Sequence, residues 1–377
     1  MLAAPPGEVS AHSPSAYGGV FRSRSLGAAW VNADIGLFLS AALAIAVDPR
    51  NANHLLMGTD TGLLVSTNGG RSWTQEAAGR IDGAVFAVAF APDGGTVLCA
   101  APGGVYRWTD GQWHASQAPG AATPARGIAF GTTRGRVYLL GRDRVFRSDD
   151  AGATFDPIQA EAGDAPAFAA LTVVRAAPET LFAVGGGMLL ASTDGGRHWG
   201  ARRVAGTHGP FDTVTADPAV PGRLWVAAAD RLHVSDDAGA SWRQVGASLP
   251  EPHTTVRGIA ADARLATLVV TTHRGTYRSI DAGAHWGLQE GNLPVHLEAG
   301  PLARDPADPH TLYAVYSLIP YPEVWRSAVE GSNLLARADR ISLLGGLAFL
   351  LLLLLGGGLL VTWLVRRREA VDGGPAS

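Results

Sequence analysis

One octapeptide, written several times in register, constrains this chain more than any other feature. Ser192–Trp199 reads STDGGRHW, and Ser235–Trp242 (SDDAGASW) and Ser279–Trp286 (SIDAGAHW) repeat its pattern, Ser-x-Asp-x-Gly-x-x-Trp. Ser66–Trp73 (STNGGRSW) carries Asn68 in place of the Asp, and Ser148–Phe155 (SDDAGATF) keeps Asp150 but closes on Phe155. Ser23–Trp30 (SRSLGAAW) is a worn copy and Trp108–Trp113 (WTDGQW) a shortened one. The closing aromatics fall 43, 40, 42, 44, 43 and 44 residues apart. A fixed period in the forties, spelled in short apolar runs and turn residues, predicts a β-propeller with about four strands per blade.

The octet has the chemistry of a turn. An Asp or Asn oxygen accepts from nearby backbone N–H groups, and glycine takes the positive φ of a tight return. The Ser hydroxyl ties the turn down, and the Trp opens the next strand. The pattern resembles the Asp-box (BNR) repeat of bacterial-sialidase-like propellers. That resemblance implies a box between the third and fourth strands of each blade, at the rim and away from the central channel. Ser66, Asn68 and Trp73, Ser148 and Asp150, Ser192, Asp194 and Trp199, Ser235, Asp237 and Trp242, and Ser279, Asp281 and Trp286 are therefore expected to be structural, although their carboxylates resemble a catalytic array.

Forty-eight glycines and 23 prolines in 377 residues suit many short strands joined by turns. Length alone allows two or three domains, but blades stack into one ring. We read residues 1–18 as a frayed N-terminus, 19–334 as the propeller, 335–340 as a linker, 341–365 as a transmembrane helix and 366–377 as a short basic tail. Each unit spells an inner strand, such as Leu43–Val47 before Asp48-Pro49, then a second and third strand before its box. Asp217-Pro218 and Asp305-Pro306 repeat the Asp-Pro turn. The seventh unit is expected to supply three strands, at 301–304, 312–316 and 324–327, with the N-terminal segment donating the strand that closes the ring. The expected fold is all-β with seven blades, and eight if residues 1–40 form a degenerate blade of their own.

Residues 341–365 carry no charge over 25 positions, enough for about 37 Å of helix against a hydrocarbon core of about 30 Å. Arg366, Arg367 and Arg368 follow at once, against Arg337 and Arg340 on the other flank, which favours a cytoplasmic C-terminus and a propeller outside the cytoplasm. Residues 1–18 lack a signal-peptide pattern. We expect an export signal upstream of Met1, and a tail-anchored protein with a cytoplasmic propeller is the alternative.

A net charge of −3 gives no footprint for nucleic acid. Cys99, the single cysteine, stands in an apolar strand and cannot form an intrachain disulfide. No His spacing matches a metal motif, and nothing in the sequence asks for a cofactor. Function is expected on the face bearing the loops between second and third strands and between blades. Those loops offer Arg144, Arg231 and Arg274 at similar places in three blades, beside His273 and Tyr321. They form a candidate basic patch for an acidic segment of a protein partner. Asp60, Asp82, Asp143, Asp212, Asp230 and Glu323 are read as lying in different blades, too scattered for hydrolysis. His208, His253 and His296 fall in the inter-blade loops.

The Arg-Ile-Pro motif of sialidases is absent after Phe21-Arg22, and Arg22 recurs as Arg107, Arg147, Arg278 and Arg326, a repeat position rather than a catalytic one. The chain holds one ring, where xyloglucanase-type enzymes close a cleft between two. It is similar over residues 19–334 to single-ring, membrane-associated propellers of the photosystem II assembly-factor type. That resemblance implies a non-catalytic protein that binds a protein partner, in assembly or stability of a membrane complex. The alternative is a cell-surface propeller that binds or cleaves glycans.

Overall fold

The computed structural model describes residues 18–330, apart from 35–36, 38, 159–166, 175–178, 208–209 and 229. The expected membrane span at 341–365, its flanking arginines and His208 lie outside the described residues. Among the described residues no helix is long and apolar enough to cross a membrane. The chain divides into one unit over Met1–Val329, which holds the propeller, and a second over Glu330–Ser377.

Seven four-stranded antiparallel sheets make a seven-bladed propeller. Blade 1 runs Ala42–Asp48, Asn51–Thr59, Leu63–Ser66 and Thr74–Glu76 from the channel outward. The inner strands of blades 2 to 6 are Ala87–Phe90, Gly127–Phe130, Phe168–Val174, Phe211–Ala216 and Val256–Ala261. Blade 7 is shared between the ends of the propeller. Glu298–Arg304 and Leu312–Ser317 supply its two inner strands, and Gly19–Ser23 and Val31–Asn32 its two outer ones. The closing ladder pairs Gly19 with Tyr316 through to Ser23 with Leu312.

The ring therefore closes two strands on two, not three on one as expected. Val324–Ser327 is not a third strand. It lies in an α-helix, α1, over Tyr321–Glu330. The two N-terminal strands already fill the outer half of blade 7, so the segment has no edge to join. Pro320 and Pro322 suit a helix start, since the missing N–H at its first position has no partner to lose.

Seven apolar clusters hold the ring, one at each blade interface. Each second strand is buried on both faces, and its period of two splits it between neighbours. In Leu224–Ala228, Trp225 and Ala227 face blade 6, whereas Leu224 and Val226 face blade 4. Each box aromatic wedges toward the preceding blade: Trp73 into the interface of blades 7 and 1, Trp113 of 1 and 2, Phe155 of 2 and 3. Cys99 is fully buried in this way, and burial pushes its thiol far above its ordinary pKa.

The boxes behave as turns. In the box of blade 5 the Ser235 hydroxyl donates to Asp237 Oδ1 at 2.8 Å and accepts from the Gly239 N–H at 2.7 Å, while Oδ1 accepts from the Ser241 N–H at 2.8 Å. The worn copy keeps the geometry, with Ser23 Oγ accepting from Gly27 at 2.9 Å and Ser25 Oγ from Ala29 at 3.1 Å. The shortened copy is a different device. Thr109 pairs directly with Gln112, so Asp110-Gly111 is a two-residue hairpin turn with φ of 53° and 81°. Where an arginine precedes a box it can stitch blades together, as Arg22 donates to the Gly69 carbonyl at 2.6 Å and Arg278 to that of Leu26 at 2.9 Å.

Candidate functional site

Backbone hydrogen bonds sort the loops onto two faces. The boxes bond the turns between first and second strands of their own blades: Gly69 to Asn53, Ala151 to Gly135, Ala238 to Gly222 and Ala282 to Ala266. The Asp-Pro turns share that face, where Asp48, Asp217 and Asp305 each accept from the N–H two residues on at 2.8–2.9 Å. On the opposite face the loops between second and third strands bond the inter-blade loops, as in Gly83 to Thr61, Leu249 to Asp230 and His273 to Thr255.

The channel mouth on this loop face is covered by α1. Tyr321, Val324, Trp325, Ala328 and Val329 recur at i, i+3, i+4, i+7 and i+8, a single apolar stripe. The stripe packs on Ala41 and Leu43 of blade 1 and on Ala84 and Phe86 leading into blade 2. Phe86 meets the rings of Tyr321 and Trp325 edge-on, at 5.2 and 5.0 Å between centroids. The guanidinium of Arg126, at the opening of blade 3, lies 3.8 Å above the Trp325 ring. From blade 6 the guanidinium of Arg257 lies 5.0 Å over the Tyr321 ring. Glu298 of blade 7 takes Arg257 at 2.9 Å and the Tyr321 N–H at 2.8 Å. A carboxylate thus sits at the helix N-terminus, where the dipole favours it. Burial lowers the pKa of both arginines and raises that of the Tyr321 hydroxyl. The Nε atoms of Arg126 and Arg257 are buried without a hydrogen-bond partner.

Of the expected residues, Tyr321 is at this mouth, engaged within the chain. The arginines stand apart from it. Arg144 is exposed and pairs with Asp143 at 3.5 Å, Arg231 bonds Ser248 at 3.2 Å, and Arg274 pairs with Glu251 and contacts His273 at 3.2 Å. No hydrogen bond or ion pair joins the three. His273 accepts from the Thr255 N–H at 3.0 Å, and burial with the adjacent Arg274 lowers its pKa. Asp60 accepts from Ser40 at 2.5 Å and Asp82 from Gly79 at 3.1 Å. Asp212 and Asp230 do not lie in different blades. Asp212 stands on the inner strand of blade 5, and Asp230 directly precedes the third strand of the same blade. Burial first, and the Asp230 charge second, push Asp212 up to about 6.

The residues that sequence reasoning missed are Arg126, Arg257, Glu298 and Trp325. A signal was present, since Arg126-Gly127-Ile128-Ala129 and Arg257-Gly258-Ile259-Ala260 are the same tetrapeptide at two inner-strand openings. Deeper in the channel a cavity of about 320 Å³ is lined by blades 5 to 7 and ends at Arg304, which contacts Asp217 at 3.6 Å. A larger cavity, about 570 Å³, lies on the box face between blades 2 and 3, where Arg136 is already paired with Asp149 at 2.8 Å. Among the described residues no group of three or more His, Cys, Asp or Glu side chains is placed to hold a metal ion.

Fold and mouth define a seven-bladed β-propeller whose channel is covered on its loop face. Its fold is that of known propellers at low sequence identity. YCF48 bound to a D1 peptide matches with 18% identity and a TM-score of 0.55, over 76% of this chain and 95% of that one. YCF48 from Cyanidioschyzon merolae matches with 13% identity and a TM-score of 0.55, over 78% and 99%. A xyloglucanase from Xanthomonas campestris matches with 17% identity and a TM-score of 0.53, over 74% of this chain but 53% of its own. No protein-family model and no curated protein matches the chain.

Proposed function

We propose that this chain is a non-catalytic, membrane-anchored propeller that binds a protein partner and serves the assembly or stability of a membrane complex. The observation that carries the reading is the channel mouth, whose apolar, aromatic and arginine lining grips a polypeptide helix. A solved protein of this fold is bound to a peptide, which supports the same use of the scaffold. Arg144, Arg231 and Arg274, with His273, supply positive charge around the rim for an acidic segment of that partner. In this reading residues 341–365 hold the protein in the membrane, with the propeller outside the cytoplasm.

A glycan-directed function is the second reading, and the Asp212–Asp230 pair is what favours it. Retaining or inverting hydrolysis needs two carboxyl groups about 5–10 Å apart. Against it, every described Trp and Tyr is buried or half-buried, so no exposed aromatic platform is offered to a sugar ring. The test is affinity capture of the full chain from solubilised membranes, with the captured proteins identified by mass spectrometry. A protein recovered from wild type and lost when Arg144, Arg231 and Arg274 are all changed to Glu supports the reading. Release of sugar by the wild type that is abolished in Asp212→Asn would replace it with the second.

A further inference from the structure

We infer that the channel mouth is a binding site for an amphipathic helix of a partner protein, and that α1 fills it in cis as a displaceable occupant. The inference rests on the protein-binding reading and says what kind of segment is bound. Topology shows that α1 is separable from the ring. The last closing pair is Gly19 with Tyr316, and the chain has left the sheet before Pro320. Every ladder of blade 7 is complete without the helix, so its departure breaks no strand pairing.

The lining specifies the ligand. Glu298 receives the first free N–H of a helix. Arg257 presents its guanidinium to one aromatic residue and Arg126 to a second four positions later, and Phe86 meets both rings edge-on. Aromatic faces attract guanidinium most strongly where water is excluded. Ala41, Leu43 and Ala84 leave room for small apolar side chains along the same stripe. The site therefore reads an aromatic pair at i and i+4 on an otherwise apolar helix face, a helix-in-groove mode. The buried, unpartnered Nε atoms of Arg126 and Arg257 show that α1 leaves donors of the groove unused. A ten-residue helix is marginal by itself, so what holds α1 in place is the groove.

The test uses the full chain in detergent and a fluorescein-labelled peptide of residues 318–332. A tethered occupant competes at an effective concentration on the millimolar scale, so the wild type binds the peptide at least about tenfold more weakly than Tyr321→Ser/Trp325→Ser. A control peptide with serine at both aromatic positions binds neither. Equal binding to both proteins, or none to the variant, overturns the inference. Should the variant fail to fold, hydrogen exchange of the wild type decides. Amides of Val324–Val329 are expected to exchange at least about 100-fold faster than those of Leu312–Ser317, and equal protection overturns the displaceable helix. Partner capture that persists while the peptide fails to bind sinks this inference alone. Peptide binding with no partner captured sinks the protein-binding reading instead.

Discussion

The Trp73 indole N–H donates to the Ala33 carbonyl at 2.7 Å, joining the fourth strand of blade 1 to the segment that ends blade 7. The two residues stand 40 positions apart, one repeat. The same bond recurs around the ring, as Trp286 reaches the Ala247 carbonyl at 3.2 Å and Trp113 reaches the Glu76 carboxylate at 2.9 Å. The box aromatic therefore does two jobs. Its ring fills the interface with the preceding blade, and its N–H satisfies a group belonging to that blade. Trp30 and Trp242 are exceptions, because the indole nitrogen of each is buried with no partner, and Phe155 has no N–H to give.

That contrast makes a prediction. Trp73→Phe strands a buried carbonyl and should cost about 1–2 kcal/mol more than Trp242→Phe, which loses similar ring area but no bond. Thermal or denaturant unfolding of the two variants checks it. Equal destabilisation would mean that only the ring matters.

A second prediction concerns the boxes. The Ser241 hydroxyl and N–H, then the Ser235 hydroxyl, hold Asp237 down at about 2, and the His285 N–H and side chain, then the Ser279 hydroxyl, do the same for Asp281. Both values lie below the ordinary carboxylate value of about 3.9. Their support is full above that value and is lost as pH falls through the folded one. Asn68 fills the same place in blade 1, its side-chain oxygen accepting from the N–H groups of Arg71 and Ser72 at 2.9 Å each. Asp237→Asn should keep the turn at neutral pH and remove its share of the acid-induced decline between about pH 4 and 2. Asp237→Ala should cost about 1 kcal/mol at neutral pH through the lost acceptor. Melting curves of the three proteins across that range are the measurement, and an Asn variant with the wild-type acid slope would count against the argument.

These boxes were legible in the sequence because each is a local turn, with its acceptors and glycine inside eight residues. The blade count came from their spacing. The division of blade 7 did not, and the reason is specific. Val324-Trp325-Arg326-Ser327 spells nearly the same third strand as Val20-Phe21-Arg22-Ser23 and Val145-Phe146-Arg147-Ser148. Only one such segment can occupy blade 7. The N-terminal copy takes the position, and the other, flanked by Pro320 and Pro322, becomes the helix over the channel. Trp108–Trp113 misled in a similar way, since Asp-Gly before Trp is common to a box and to a hairpin turn. The mouth was the least legible part. Arg126, Arg257 and Glu298 come from three blades, and their meeting at Tyr321 depends on ring closure rather than on any local spacing.

The proposed membrane anchor and its direction are open to direct measurement. Three consecutive arginines after Val365 outweigh Arg337 and Arg340, so the tail is expected in the cytoplasm and the propeller outside it. Protease added to spheroplasts should digest the propeller and leave a tag after Arg368 intact. A propeller protected until the membrane is broken would place it in the cytoplasm, together with its partner.

The last prediction separates two opposing effects of pH. Burial pushes Asp212 and Asp34 each up to about 6, Asp34 while its carboxylate accepts from the Val20 N–H at 3.1 Å. For these groups the folded chain holds its proton more tightly than the unfolded chain does, since the unfolded value is about 3.9. Their contribution is therefore complete below about pH 4 and is lost as pH rises through about 6. The box carboxylates act in the reverse sense at lower pH. His233 and His273, whose pKa values burial lowers, also act in the reverse sense below about pH 6.5, so substitution at one site isolates the effect. Asp212→Asn keeps the neutral form at all pH values, so its melting temperature should match the wild type near pH 4 and exceed it at pH 7. Asp230→Asn removes the smaller of the two causes and should move the curve the same way by less. A gain for Asp212→Asn that is equal at pH 4 and pH 7 would show that the substitution acts through packing rather than through ionisation.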